Sequence, residues 1–271
     1  MESTDDSRRR LRRTFEELPE AYERARPLYP PQIFDDLVNL AALPERARLL
    51  EIGTGTGQAT LPLAKRGFDI VGIELGEGLA ARARHKLDDF PNVKIVDADF
   101  ETWQAPSERF DAIVAFTAFH WIDPEIRYRK SAELLKSAGV LAVVATKHVL
   151  PAGGDRFWVD VQEDYEAVVP DEESTRAGAP GPPEAIEDLS SEISASGQFR
   201  NVAARRYVWD VTYTADEYIA VLDTYSGHRS LDAAKRRRLY ELVHNRIESR
   251  PEPKVTKTYL AILSIARKLL S

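Results

Sequence analysis

Apolar runs and stretches of helical period alternate from residue 47 to residue 149. ARLLEIG (47–53), FDIVGIEL (68–75), NVKIVDADF (92–100), RFDAIVAFTAF (109–119) and VLAVVATKHV (140–149) each read as a strand. Between them QATLPLAKRG (58–67), EGLAARARHKL (77–87) and PEIRYRKSAELLKSAG (124–139) read as helices. The last has proline in its first turn and Gly139 past its end. The strands are apolar almost throughout, as expected of strands covered on both faces. This alternation predicts an α/β fold, a parallel sheet with helices on both sides.

The rhythm differs on either side. Upstream, Pro27, Pro30 and Pro31 interrupt any helix, and Ile33, Phe34, Leu37, Val38 and Leu40 then recur at helical spacing. The arginine run Arg8–Arg13 reads as a solvated helix start. Downstream of Pro151, DRFWVDVQEDYEAVV looks helical and TRAGAPGPPEAI is a Gly/Pro-rich loop. RNVAARRYVWDVTYTA reads as a strand, ADEYIAVLDTYS and LDAAKRRRLYELVHNRIES as helices, and KVTKTYLAILSIARKL as a closing strand. The expected organisation is a helical lid over 1–45, an α/β core over 46–150, and cap helices plus sheet-completing strands over 151–271.

Composition narrows the function classes. Hydrophobic residues are 43% and charged residues 30% of 271, enough for a packed core. The net charge of −7 disfavours a nucleic-acid partner. With Cys at 0, disulfides, thiolate zinc sites and a cysteine nucleophile are excluded. The 5 histidines have no metal-ligand spacing, so no metal site is expected. No apolar run reaches the ~18 residues of a membrane span, and the polar N-terminus is no secretory signal; a soluble cytoplasmic protein is expected.

The chemistry gathers where the first strand meets a helix. Glu51-Ile-Gly53-Thr54-Gly55-Thr-Gly57 is a glycine loop of the kind that lets backbone approach a nucleotide. Glu74 ends the second strand, where a carboxylate can accept from ribose hydroxyls. The dinucleotide pattern G-x-G-x-x-G needs glycine or alanine at 58, and Gln58 stands there. A carboxylate at Glu51 would repel a pyrophosphate and attract an ammonium or a sulfonium. That asymmetry favours S-adenosylmethionine (SAM) over NAD. Asp99 and Phe100, after the third strand, fall on the same sheet edge, where Asp99 can accept from an adenine amino group and the Phe100 N–H can donate to a ring nitrogen.

LLEIGTGTGQAT, VGIEL, VDADFETW, RFDAIVAFTAFHWID and LLKSAGVLAVV resemble, in order, the motifs of class I SAM-dependent methyltransferases. The segment YERARPLYP (22–30), His120-Trp121 and Ser226-Gly-His228-Arg resemble the bacterial small-molecule branch of that family. One departure is Gly76 after Glu74-Leu75, where many relatives carry a bulkier residue. The resemblance implies a Rossmann-like, mostly parallel seven-stranded sheet with an added helical cap. It also implies cofactor contacts from Tyr22, Arg26, Leu75 and Thr117 beside those named above, and a lid role that Tyr29 shares with Tyr22 and Arg26. It places the protein in secondary metabolism.

Methyl transfer from a sulfonium releases a neutral leaving group, so proximity can supply most of the catalysis. A base is needed only where the acceptor loses a proton. His120, after the fourth strand, and Glu101, past the adenine segment, are the candidates. Each has an equally simple structural role, His120 in fixing its loop and Glu101 as a helix-start carboxylate. Tyr29, Trp121, Phe157, Tyr225 and His228 are candidate walls of an acceptor pocket. They suit a small aromatic acceptor, indole- or phenol-like. A SAM-binding scaffold that transfers no methyl group is the alternative, and a macromolecule methyltransferase a more distant one.

Overall fold

The computed structural model describes residues 23, 25–105, 107–170 and 178–270. Tyr22 and most of the expected lid lie outside these residues. Seven strands form one sheet: β1 (Arg48–Ile52), β2 (Asp69–Glu74), β3 (Val93–Asp97), β4 (Phe110–Phe116), β5 (Leu135–Val149), β6 (Phe199–Thr214) and β7 (Lys254–Lys268). Their order is β3-β2-β1-β4-β5-β7-β6. The pairs β1–β2, β1–β4, β2–β3 and β4–β5 are parallel. Because β2 and β4 flank β1 on opposite sides, the chain reverses its direction of winding there. That is the switch point at which open α/β sheets leave a crevice beyond the strand carboxyl ends.

Local sequence explains most helix boundaries. In α1 (Pro31–Ala41), Pro31 supplies the preset first turn, and Ala42 ends it at φ 51°. After α2 (Thr60–Ala64) and α3 (Glu77–Lys86), α4 (Pro124–Leu134) starts on Asp123, whose carboxylate accepts from Glu125 N. Then come α5 (Phe157–Asp160), α6 (Gln162–Val168) and α7 (Ser190–Ala195). In α8 (Ala215–Leu222), Thr214 and Glu217 form a reciprocal capping box. The last two are α9 (Ser226–Arg229), a single turn, and α10 (Ala233–Glu248), capped by Asp232.

The helix expected over 124–139 stops at Leu134, and residues 135–139 begin β5 instead. Pairing overrides periodicity here. Leu135 is buried opposite Phe110, and a register irregularity between Phe110 and Ala112 absorbs the extra residues. Gly139 is not a helix stop. A Cβ there would lie 2.9 Å from the Leu135 side chain and 3.0 Å from Lys136 O, so glycine permits the close approach. The short helices α7 and α9 were not legible in the sequence pattern.

Contacts divide the chain into two compact units. The glycine-loop unit comprises Leu28–Thr146, Asp188–Tyr207 and Ala261–Ser271. Its core includes Leu50, Ile52, Ile113, Phe119, Leu141 and Phe199. The aromatic unit comprises the described residues of Met1–Pro27, Lys147–Glu187 and Val208–Leu260. Its core is rich in rings, among them Phe157, Trp158, Tyr165, Tyr218 and Tyr259. Among the described residues no helix is long and apolar enough to cross a membrane.

Candidate functional site

The site begins at the end of β1. Glu51 is 1% exposed, and neither carboxylate oxygen makes a hydrogen bond. Burial pushes its carboxyl up to about 8, the neighbouring Thr60 hydroxyl opposes the shift, and the charge of Glu74 adds to it. A buried carboxyl group without a donor is costly unless a partner arrives.

The loop that follows is held open by its own backbone. Gly53 adopts φ +72° and donates its N–H to Ile73 O at 2.8 Å. A Cβ on Gly53 would sit 2.4 Å from the Cβ of Ala118, so only glycine lets the loops after β1 and β4 touch. Gly55, at φ +58°, has nothing within 4 Å of where a Cβ would be. Its positive φ and the open space beside it leave backbone accessible to a ligand.

Glu74, 8% exposed, ends β2 and grips both neighbouring turns. Its Oε2 accepts from Gly55 N at 2.7 Å and its Oε1 from Gly76 N at 2.9 Å. Each carboxylate oxygen has a second lone pair for a further donor. After β3, Asp99 Oδ1 accepts from Glu101 N at 2.9 Å, and Asp99 O accepts from Trp103 N at 2.8 Å. Asp99 therefore caps a turn, and Phe100 inside that turn is buried. Leu75 is 37% exposed beside Glu74.

Beyond β4 the backbone is strained. Thr117 sits at φ +55°, a left-handed conformation that costs a β-branched residue ~1–3 kcal/mol. The surroundings over-determine it. Thr117 N donates to Val144 O at 2.7 Å, and its hydroxyl bonds the Tyr29 hydroxyl at 2.9 Å and the Thr146 hydroxyl at 3.1 Å. Sequence reasoning missed Thr146 and Ala118, for neither carries a motif signal. His120 is exposed in a short 3₁₀ turn, Phe119–Trp121, with its ring centroid 4.8 Å from that of Trp121. Glu101 Oε1 accepts from Asp123 N at 3.0 Å, tying the turn after β3 to the start of α4. Lys130 Nζ reinforces the tie by donating to Glu101 O at 3.1 Å and Trp103 O at 2.7 Å.

Glu51, Gly53, Thr54, Gly55, Gly57, Glu74, Leu75, Asp99, Phe100, Glu101, Thr117, His120, Trp121 and Tyr29 thus belong to the glycine-loop unit, at the ends of β1 and β2, on the loops that follow β1 to β4 and just before α1. Arg26, Phe157, Tyr225 and His228 belong to the aromatic unit. There the Arg26 guanidinium lies 4.4 Å above the Tyr225 ring, and the Tyr165 hydroxyl pairs with His228 Nε2 at 2.9 Å. Phe157 is buried edge-on to Trp158 at 5.0 Å.

Comparison with known proteins agrees with this geometry. Residues 49–139 match the family described as a methyltransferase domain. A methyltransferase of Mycobacterium tuberculosis is 33% identical over 138 residues, 51% of this chain and 54% of the relative. The chain thus spans about half the length of the curated relatives it matches first. Among solved structures, a type II methyltransferase of Anaeromyxobacter dehalogenans superposes with a TM-score of 0.60 at 22% identity, covering 89% of this chain and 97% of that one. The [4+2]-cyclase SpnF superposes with a TM-score of 0.52 at 19% identity, covering 91% and 85%. At these identities the superpositions establish the fold alone, a Rossmann-like sheet. The glycine loop, the strand order and the matched segment agree: residues 49–139 match the methyltransferase domain family, on a Rossmann-like sheet.

Proposed function

We propose that the protein transfers a methyl group from SAM to a small-molecule acceptor, an indole- or phenol-like aromatic compound. The observation that carries the cofactor reading is Glu51, a buried carboxyl group with no donor at the mouth of a glycine loop. It fits a cationic ligand and is ill suited to a pyrophosphate. Gly55 leaves backbone open beside it, Glu74 can accept from ribose hydroxyls, and the Asp99–Phe100 turn can meet an adenine edge. When bound, SAM supplies a methyl carbon on a sulfonium, activated for in-line displacement.

The chain's own task is alignment. Thr117, pinned by Tyr29 and Thr146, fixes the loop after β4 and hence His120. His120 takes the proton of an acceptor N–H or O–H as the new bond to carbon forms and the C–S electron pair returns to sulfur. Glu101 is the second proton-handling candidate and also orients the loop through Asp123 N. The aromatic lean rests on the rings of Tyr29 and Trp121, together with the net charge of −7, which disfavours a nucleic-acid acceptor.

Calorimetry with SAM, S-adenosylhomocysteine (SAH) and NAD tests the first step: the adenosyl ligands bind and NAD does not. A screen of small aromatic acceptors by SAH release tests the second. Binding of SAM with no turnover on any acceptor would instead favour a non-methylating scaffold, and tight NAD binding without SAM binding would overturn both readings.

A further inference from the structure

The turn after β3 is held from two sides. From within, Asp99 gathers its N–H groups: Asp99 Oδ1 accepts from Glu101 N at 2.9 Å, and Asp99 O accepts from Thr102 N at 3.1 Å and Trp103 N at 2.8 Å. Ala98 N donates to Glu74 O at 3.0 Å, so the turn departs from the end of β2. None of these bonds uses the carbonyls of Glu101 and Trp103. Both carbonyls accept instead from one ammonium of another element, Lys130 Nζ in α4, at 3.1 Å and 2.7 Å. The same Nζ lies 5.4 Å from the ring centroid of Phe100, which is 2% exposed. Lys130 thus touches residues 100, 101 and 103 at once, and all of these groups belong to the glycine-loop unit.

Lysine usually keeps its ammonium in water. Lys130 is half-buried, and its ammonium turns inward to two carbonyls. Burial pulls its pKa down, and the charges of Asp99, Glu133 and Glu101 oppose the shift. Docking of α4 does not call for this arrangement. The helix already buries Tyr128, Ala132 and Leu134 in the core, and Asp123 N at its start donates to Glu101 Oε1. The ammonium is spent on the turn itself, and it fixes a flexible stem against its own rotamer entropy.

We propose that Lys130 is a positioning residue for cofactor selection, one that clamps the Asp99–Trp103 turn so that the site chooses adenine over other purines. The inference rests on the cofactor reading above, in which Asp99 accepts from the adenine amino group and the Phe100 N–H donates to a ring nitrogen. Hypoxanthine reverses both partners, with an acceptor oxygen at position 6 and an N–H at the adjacent ring nitrogen. A rigid turn cannot follow that reversal, whereas a loosened one can shift to reduce the clash. Selectivity of this kind needs the recognising groups held to within about 0.5 Å.

Calorimetry on the full chain with SAH and S-inosylhomocysteine, its 6-oxo counterpart, tests the clamp. The parent should bind SAH at least about tenfold more tightly. Lys130→Met keeps the stem and loses the donors, and it should cut that ratio by about fivefold or more. Cys is 0 in the sequence, so Lys130→Cys introduces a single thiol. Its sulfur displaces bromide from 2-bromoethylamine, the thiol proton passing to buffer, which rebuilds an ammonium at the reach of lysine. This aminoethylation should restore the ratio. Should Lys130→Met fail to fold, Lys130→Cys before alkylation carries the comparison. A lysine that only stabilised the fold would lower the unfolding temperature and weaken both ligands alike, leaving the ratio unchanged. That result, no recovery on aminoethylation, or no preference for SAH in the parent overturns the proposal. A parent that binds neither ligand overturns the cofactor reading itself, so the two failures are distinguishable.

Discussion

The two units bury opposite charges in opposite ways. In the glycine-loop unit a lone carboxyl group, Glu51, sits with no donor, and it escapes the cost by holding its proton up to about 8. In the aromatic unit a lone ammonium, Lys257, is wrapped in ring faces and a phenol. A carboxyl group can shed its charge at neutral pH by keeping a proton, so Glu51 can wait uncharged until a cation comes. Lys257 is instead kept company by electron-rich π faces. The difference lies in the chemistry of the two groups: the carboxyl group at the end of β1 can wait neutral, whereas the buried ammonium leans on ring faces and a phenol.

The largest effect expected in the glycine-loop unit is on turnover. If His120 is the base, His120→Ala should slow methyl transfer by ~10²–10⁴-fold and flatten the rise of rate with pH, with SAH affinity unchanged. If Glu101 is the base, Glu101→Gln should carry that loss. Steady-state rates on the acceptor decide it, and changes of only a few-fold in both would leave catalysis to proximity alone.

Next comes Glu51 itself. Glu51→Gln should weaken SAM binding by about 2–5 kcal/mol, the cost of removing one partner from a buried charge pair. Calorimetry showing unchanged affinity would break the comparison at its first term, since Glu51 would then face no cation.

A smaller loss is expected at Glu74. Its carboxylate would meet the ribose in ground and transition states alike, so Glu74→Ala should raise the SAM dissociation constant by about 1.5–3 kcal/mol and barely change saturated turnover. Because Glu74 also holds Gly55 N and Gly76 N, Glu74→Gln, which keeps one acceptor oxygen, should recover part of the affinity.

The gentlest test is pH. The folded Glu51 keeps its proton up to about 8, whereas the unfolded chain releases it near the ordinary 4.5. The folded state therefore binds more protons between these values. The stability Glu51 contributes is full below the unfolded value and is lost as pH rises toward the folded one, by at most about 1.4 kcal/mol per pH unit. SAM affinity runs the other way, rising by up to about tenfold per pH unit below 8 as the carboxylate becomes available. Thermal unfolding and calorimetry across this window should show both slopes, and Glu51→Gln should abolish both.

What could be read from the chain alone was local. Glu51, Gly53, Gly55 and Gly57 lie within seven residues, and Glu74 and Asp99 each end a strand that hydrophobic patterning reveals. Strand–loop–helix chemistry is written in consecutive residues, because the backbone itself delivers the groups to one sheet edge. Asp99 also caps its own turn, accepting from Glu101 N. Pairing, by contrast, is not local. Residues 135–139 carry a helical pattern, yet the partners offered by β4 drew them into β5. The aromatic cluster is the extreme case. Arg26, Trp158, Tyr218, Tyr225, Lys257 and Tyr259 come from distant stretches of chain, and only Arg26 and Tyr225 stand among the candidate residues of the sequence. Only packing brings an ammonium among four rings, with no carboxylate paired to it among the described residues. The sequence determined the fold class and the glycine-loop corner. The tertiary structure alone decided where the buried ammonium lies, because the energy of a buried charge depends on which groups surround it and not on which residues precede it.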